Sequence, residues 1–91
     1  MYAVKPTTKF AKDLKRVEKR EYKMDLLTEV LKNLASGKKL EEKYQDHPLK
    51  GNYHGCRECH ITPDWLLIYK IAKAKLLIYL TRTGTHSDLY G

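Results

Sequence analysis

The chain has 91 residues, 18 of them Lys or Arg against 11 Asp or Glu, for a formal net charge of +7; that length makes one domain, 1–91, with room for a single sheet and one or two covering helices. No apolar run approaches the ~20 residues of a membrane span, no apolar leader opens the chain, and two cysteines, Cys56 and Cys59, are too few for a disulfide scaffold, so a cytoplasmic protein with free thiols and no membrane partner is expected. Basic residues spread along structured segments, with no basic tail, direct attention to nucleic acid, the ribosome or an acidic partner.

Tyr2–Lys5 is a short strand candidate ended by Pro6. Thr7 or Thr8 caps a first helix, in which Phe10, Leu14 and Val17 recur at helical spacing and Lys and Arg cover the other faces. A second helix runs from about Met24 to Ser36, with Leu27, Val30, Leu31 and Leu34 on one side and Gly37 as its stop. The two helices form a hairpin whose basic coat is either a solvated face or an RNA or partner contact. Lys38–Tyr53 is a polar connection. Three strands follow, Cys56–Thr62, Trp65–Ala72 and Lys75–Thr83, joined at Pro63-Asp64 and Lys73-Ala74; links this short make them antiparallel neighbours. The run Trp65–Tyr69 is nearly all apolar, as a central strand covered on both faces requires. The fold class is α+β.

The meander has a geometric consequence for chemistry. The end of its first strand, the start of its second and the end of its third meet at one edge of the sheet. His60, Asp64, Trp65, Arg82 and Thr83 gather there, and His86 follows three residues later. The period of two puts Glu58 and His60 on one face with Cys56, while Arg57, Cys59 and Ile61 take the other. A histidine titrates near ~6.5 and can pass a proton at neutral pH. Metal-free RNA cleavage needs a base for the ribose 2′-OH, an acid for the 5′-oxygen, and positive charge on the transition state. His47, His60, Asp64 and His86 supply the proton handlers. Arg82, Lys50, Arg57 and Glu58, with the rings of Trp65 and Tyr90 as stacking surfaces, are the candidates for contacting phosphate and base.

Each residue also has a plainer reading. Trp65 fits a core position, His47 can simply shape the loop before Pro48, His60 can be a satisfied strand residue, and His54 beside Gly55 reads as solvent-exposed. The series His54-Gly-Cys56-Arg-Glu-Cys59-His60 offers zinc ligands on paper, but a strand sends Cys56 and Cys59 to opposite faces, so no metal and no cofactor is assigned.

Three ordered blocks then carry a family likeness over essentially the whole chain: Tyr44-Gln-Asp-His47-Pro-Leu-Lys-Gly51, Arg57-Glu-Cys-His60-Ile-Thr-Pro-Asp64-Trp-Leu-Leu-Ile-Tyr69, and Arg82-Thr-Gly-Thr-His86-Ser-Asp-Leu-Tyr90-Gly91. The chain resembles the YafQ-type toxins of the RelE/ParE superfamily, ribosome-dependent mRNA interferases of bacterial type II toxin–antitoxin modules. The resemblance implies a RelE-like microbial RNase fold, with an antiparallel sheet, two N-terminal helices on one face and a short C-terminal helical turn. It implies cleavage of mRNA in the A site of the 70S ribosome, by 2′-OH attack that leaves a cyclic phosphate. It implies a DinJ-like antitoxin, through which the toxin reaches operator DNA. His47, His60, Asp64 and His86 match the family's active-site histidines and aspartate, and Arg82 matches its arginine. Departures from the pattern are Glu58 where aspartate is common, Cys56 and Cys59 where aromatic or small residues are usual, and Tyr90 in place of a phenylalanine. A gyrase poison on the same fold and an inert RNA- or antitoxin-binding module are the competing readings; neither needs four acid–base groups at one rim.

Overall fold

The computed structural model describes all residues, 1–91. Its elements are β1 (Ala3–Pro6), α1 (Thr8–Lys19), α2 (Met24–Ala35), β2 (His47–Pro48), β3 (Arg57–Thr62), β4 (Trp65–Ala72), β5 (Leu77–Gly84) and α3 (His86–Tyr90). Thr7 caps α1, its Oγ1 accepting the Phe10 N–H at 3.2 Å. Phe10 and Val17 of α1 and Leu27, Val30 and Leu34 of α2 are buried against one face of the sheet, meeting Cys59, Leu67, Tyr69, Ile78 and Leu80. No helix is long and apolar enough to cross a membrane.

The sheet order is β1-β5-β4-β3-β2. The antiparallel β3–β4–β5 meander is as expected, and central β4 is buried from Trp65 through Tyr69. Two refinements concern the sheet's margins. β1 joins β5 in parallel register, Ala3 opposite Leu77 and Pro6 opposite Leu80, so the sheet is mixed at that edge. The polar connection before β3 contributes a two-residue strand, with His47 opposite Glu58 and Pro48 opposite Arg57. Neither was legible: β1 finds its partner more than seventy positions away, and a two-residue strand has no period to read.

The feature that most affects function is a bulge in β5. Tyr69 pairs with Leu80 and Ile68 with Arg82, which leaves Thr81 as an extra residue. In an unbroken strand Leu80 and Arg82 would share a face. The extra residue reverses the alternation, so Leu80 stays in the helix-covered core while Arg82 takes the opposite face beside Ile68. Thr7 secures this point: its hydroxyl lies 2.8 Å from the Leu80 carbonyl and 3.1 Å from that of Thr81.

That second face carries a smaller apolar cluster, Leu66 and Ile68 under Leu89 of α3. Leu49, Tyr53 and Cys56 pack around that cluster, and Glu58, His60 and Arg82 share the face with it.

Trp65 belongs to the helix-side core and is not available to stack a base. It is 2% exposed, meets the edge of Tyr22 at a ring separation of 5.0 Å, and donates its indole N–H to Thr83 Oγ1 at 2.8 Å. Thr83 Oγ1 in turn donates to the Leu66 carbonyl at 2.8 Å. Trp65→Phe should therefore leave a folded chain destabilised by about 1–3 kcal/mol, read as a lower urea midpoint, through loss of this bond and of ring volume.

Candidate active site

Strand register builds the site. His47, Glu58, Ile68 and Arg82 are successive partners across four strands, and the neighbouring row on the same face is His60, Leu66 and Gly84. Glu58 and His60 thus share a face, as the period of two requires, and the β5 bulge brings Arg82 to it.

Glu58 is the centre of this arrangement. Its side chain is 8% exposed, and Oε1 lies 3.5 Å from His47 Nε2 and 3.8 Å from His60 Nε2. Oε2 accepts the Tyr90 hydroxyl at 2.5 Å. The two imidazoles, with centroids 6.5 Å apart, therefore face one carboxylate that also anchors the C-terminal helix. Burial, and then the Glu58 carboxylate, push the Tyr90 phenol well above its ordinary range, so it stays protonated and donates.

His86 is the first residue of α3, and its ring lies 4.7 Å from that of Tyr90, four residues on. Tyr90 meets Tyr53 edge-on at 5.7 Å. His60, Asp64 and His86, with Tyr22, Thr85 and Ser87, line one open depression of about 410 Å³. The structure thus unites His60, Asp64 and His86 around a common space, with His47 and Glu58 alongside. Lys50 is exposed just before the short turn Gly51–Tyr53, and His54 is exposed as expected.

Arg82 and Arg57 have partners that no local pattern reveals. The Arg82 guanidinium is bidentate to Asp13 of α1, with Nε 2.7 Å and Nη2 3.1 Å from the two carboxylate oxygens. The remaining edge, Nη1, lies 3.3 Å from the Tyr53 hydroxyl. Asp13 is 3% exposed and also accepts the Thr83 N–H at 3.1 Å. Its hydrogen bonds raise the Arg82 pKa above the ordinary arginine value, keeping a fixed positive charge at the site. Asp13 was overlooked among the polar residues of α1; the available hint was an acid beside Phe10, Leu14 and Val17 on the apolar stripe.

Arg57, expected to contact RNA, lies away from the site. It faces the side shared by Cys59 and Ile61 and is held by Asp46, with Nη2–Oδ2 at 3.2 Å. Asp46 also accepts the Tyr69 hydroxyl at 2.5 Å. This network sits directly beneath His47, whose Nδ1 lies 2.8 Å from the Gln45 carbonyl; Gln45 itself takes a left-handed backbone, φ 48°. Arg57 therefore acts on the loop that carries His47.

Cys56 and Cys59 occupy opposite faces, as the strand period demands, and no group of three His, Cys, Asp or Glu side chains is arranged to hold a metal ion. Burial pushes the Cys59 thiol up to about 12. A thiol reagent at mildly alkaline pH should modify Cys56 alone in the folded chain and both cysteines in denaturant; two rapid reactions in the native state would contradict the burial of Cys59. Asp13→Asn removes the charge facing Arg82 and one of its two strong acceptors. Its expected effect is a loss of about 2 kcal/mol in urea unfolding, with Arg82 released from its fixed orientation.

The chain is similar to known proteins over nearly its whole length. Residues 2–91 match the family model described as bacterial toxin of type II toxin–antitoxin system, YafQ. The mRNA interferase toxin YafQ of Escherichia coli K12 is 40% identical over 83 residues, 90% of this chain and 88% of that one. Among solved structures, a metal-bound toxin from Helicobacter pylori is 44% identical with a TM-score of 0.92, covering 99% of this chain and 100% of its own. YafQ in the E. coli DinJ–YafQ complex is 36% identical with a TM-score of 0.90, and each chain is fully covered. With nearly its whole length matched and the RelE-like α+β fold shared, the chain belongs to the YafQ family of type II toxin–antitoxin toxins.

Proposed function

We propose that this chain is a ribosome-dependent endoribonuclease that cuts mRNA in the A site by metal-independent acid–base catalysis and so arrests translation in the cytoplasm. The observation that carries the reading is the depression where His60, Asp64 and His86 converge, on a protein of net charge +7. The name of the E. coli relative, mRNA interferase toxin, supports the same chemistry.

In the proposed reaction His60, or Asp64 acting with it, takes the proton of the ribose 2′-OH. The 2′-oxygen then bonds to phosphorus as the P–O5′ bond breaks. His86 donates a proton to the departing 5′-oxygen. The products are a 2′,3′-cyclic phosphate and a 5′-OH. Proton transfer from two placed groups and fixed positive charge supply the barrier lowering, without a step that calls for a metal ion. Arg82, locked in orientation by Asp13, and His47, paired with Glu58, stabilise charge on the phosphate. Lys50 and the exposed face of Tyr90 are the remaining candidate RNA contacts. A site this shallow relies on the ribosome to hold the mRNA in line.

The complex formed by the E. coli relative with DinJ supports a DinJ-like antitoxin as the cognate partner, which would cover the toxin and link it to operator DNA.

Mapping mRNA 5′ ends in a translating extract tests the reading. The wild-type chain should cut inside codons only while ribosomes translate. His86→Gln, which keeps size but not proton transfer, should be slower by about 100-fold. Uncut mRNA with the wild-type chain, or an undiminished rate with His86→Gln, would overturn the assignment.

A further inference from the structure

We infer that Arg20 is a positioning residue for His86, acting through Asp88 to fix α3 against α1. This rests on the reading of His86 as the acid. α3 is five residues long, His86–Tyr90. A helix of that length is not stable alone, and chain ends fray unless tied down.

Local capping sets the helix's first turn but not its place on the protein. Thr85 and Asp88 form a reciprocal capping box: the Thr85 N–H reaches Asp88 Oδ2 at 2.8 Å, and the Asp88 N–H reaches Thr85 Oγ1 at 3.1 Å. Those bonds span three residues and move with the helix. The long-range tie of that first turn is Arg20, at the end of α1. Its Nη1 lies 2.6 Å from Asp88 Oδ2 and its Nη2 3.1 Å from Oδ1, across 68 positions of sequence. Arg16 adds a cation 3.6 Å from Oδ1. The Arg20 hydrogen bonds hold the Asp88 carboxyl far below the ordinary carboxylate range, so the tie is charged at every physiological pH.

The carboxylate also lies flat on the backbone at Gly84. A Cβ added there would stand 2.8 Å from Asp88 Oδ2, so the close approach depends on glycine. His86 sits midway between Gly84 and Asp88, and its imidazole makes no hydrogen bond within the protein; its contact is the ring of Tyr90. The bearing of His86 is therefore inherited from α3: buried Leu89 and the Tyr90–Glu58 bond hold the far end of that helix, and the two-point contact with Arg20 fixes its first turn, where His86 sits.

Magnitudes separate placement from stability. The Arg20 side chain is 38% exposed and that of Asp88 13%, and when Arg20 is removed Arg16 and the capping box still face the carboxylate, so the loss to folding is modest. A bidentate guanidinium–carboxylate contact nonetheless fixes two points in space, and sub-ångström placement matters steeply for a proton donor. Loss of Arg20 should thus slow cleavage clearly while lowering the melting point only modestly.

The test compares Arg20→Ala, Arg20→Lys, His86→Ala and the Arg20→Ala/His86→Ala double variant in single-turnover cleavage by saturating toxin in a translating extract. Melting and amide exchange are measured on the same chains. Arg20→Ala should cut about tenfold more slowly, with a melting point lowered by no more than about 5 °C. Arg20→Lys, which restores charge but not the fork, should recover only part of the rate. The Leu89 and Gly91 amides, bonded to Thr85 and Ser87 carbonyls, should exchange faster in Arg20→Ala. In the His86→Ala background, Arg20→Ala should remove nothing more. A wild-type rate in Arg20→Ala, or a tenfold loss that persists without His86, overturns the positioning role. Unchanged exchange at Leu89 and Gly91 overturns the tether itself. A His86→Ala chain that cuts normally overturns the acid assignment instead, and is recognised by that rate alone.

Discussion

One residue too many in β5 determines where this protein keeps its charge. Ile78 and Leu80 are committed to the core beneath the helices, and a regular strand would have driven Arg82 into that same core. The bulge at Thr81 turns Arg82 outward, and two residues of the N-terminal region hold the irregularity in place. The Thr7 hydroxyl takes the carbonyls around it, and Asp13 takes the next free N–H together with the arginine itself. Since β1 ends opposite Leu80, the outer edge of β5 beyond the bulge has no strand partner. A buried carboxylate from α1 fills that role. A buried acid is tolerated only when its lone pairs are met, and here backbone and guanidinium meet them together.

A carboxylate beside each functional group is the recurring device. Asp13 aims Arg82, Glu58 stands between His47 and His60, Asp46 anchors the loop before His47, and Asp88 ties down the helix that begins with His86. Against 18 basic residues, 11 acids look like a scattered minority in the sequence. In space four of those acids are concentrated where orientation matters. The surplus of Lys and Arg is left on the surface, suited to a polyanionic partner.

How much of this was legible follows from the range of each interaction. The helices, the β3–β4–β5 meander and the assembly of His60, Asp64 and His86 come from local period and short links, and the structure reproduces them. In the sequence Trp65 keeps both a core and a rim reading, and Arg57 is given to the rim, because strand residues at an edge can serve either; only the tertiary partners, Thr83 and Asp46, decide. The parallel pairing of β1, the Thr7 contact that holds the bulge, and the Asp13–Arg82 pair join residues some seventy positions apart, beyond the reach of any local pattern. Glu58 was placed on the correct face, yet its centrality depends on the two-residue β2 that lays His47 beside it.

The parallel seam between β1 and β5 also orders events in time. β5 is hydrogen-bonded to both β1 and β4, and α1 packs against it. During synthesis the amino-terminal strand and both helices emerge well before residues 77–84 exist, so β1 waits without its partner and Asp13 without its arginine. His86 comes later still. A nascent chain that has not reached β5 has neither the β1–β5 seam nor the arginine that Asp13 orients, and His86, on which the proposed proton transfer depends, is added only after both.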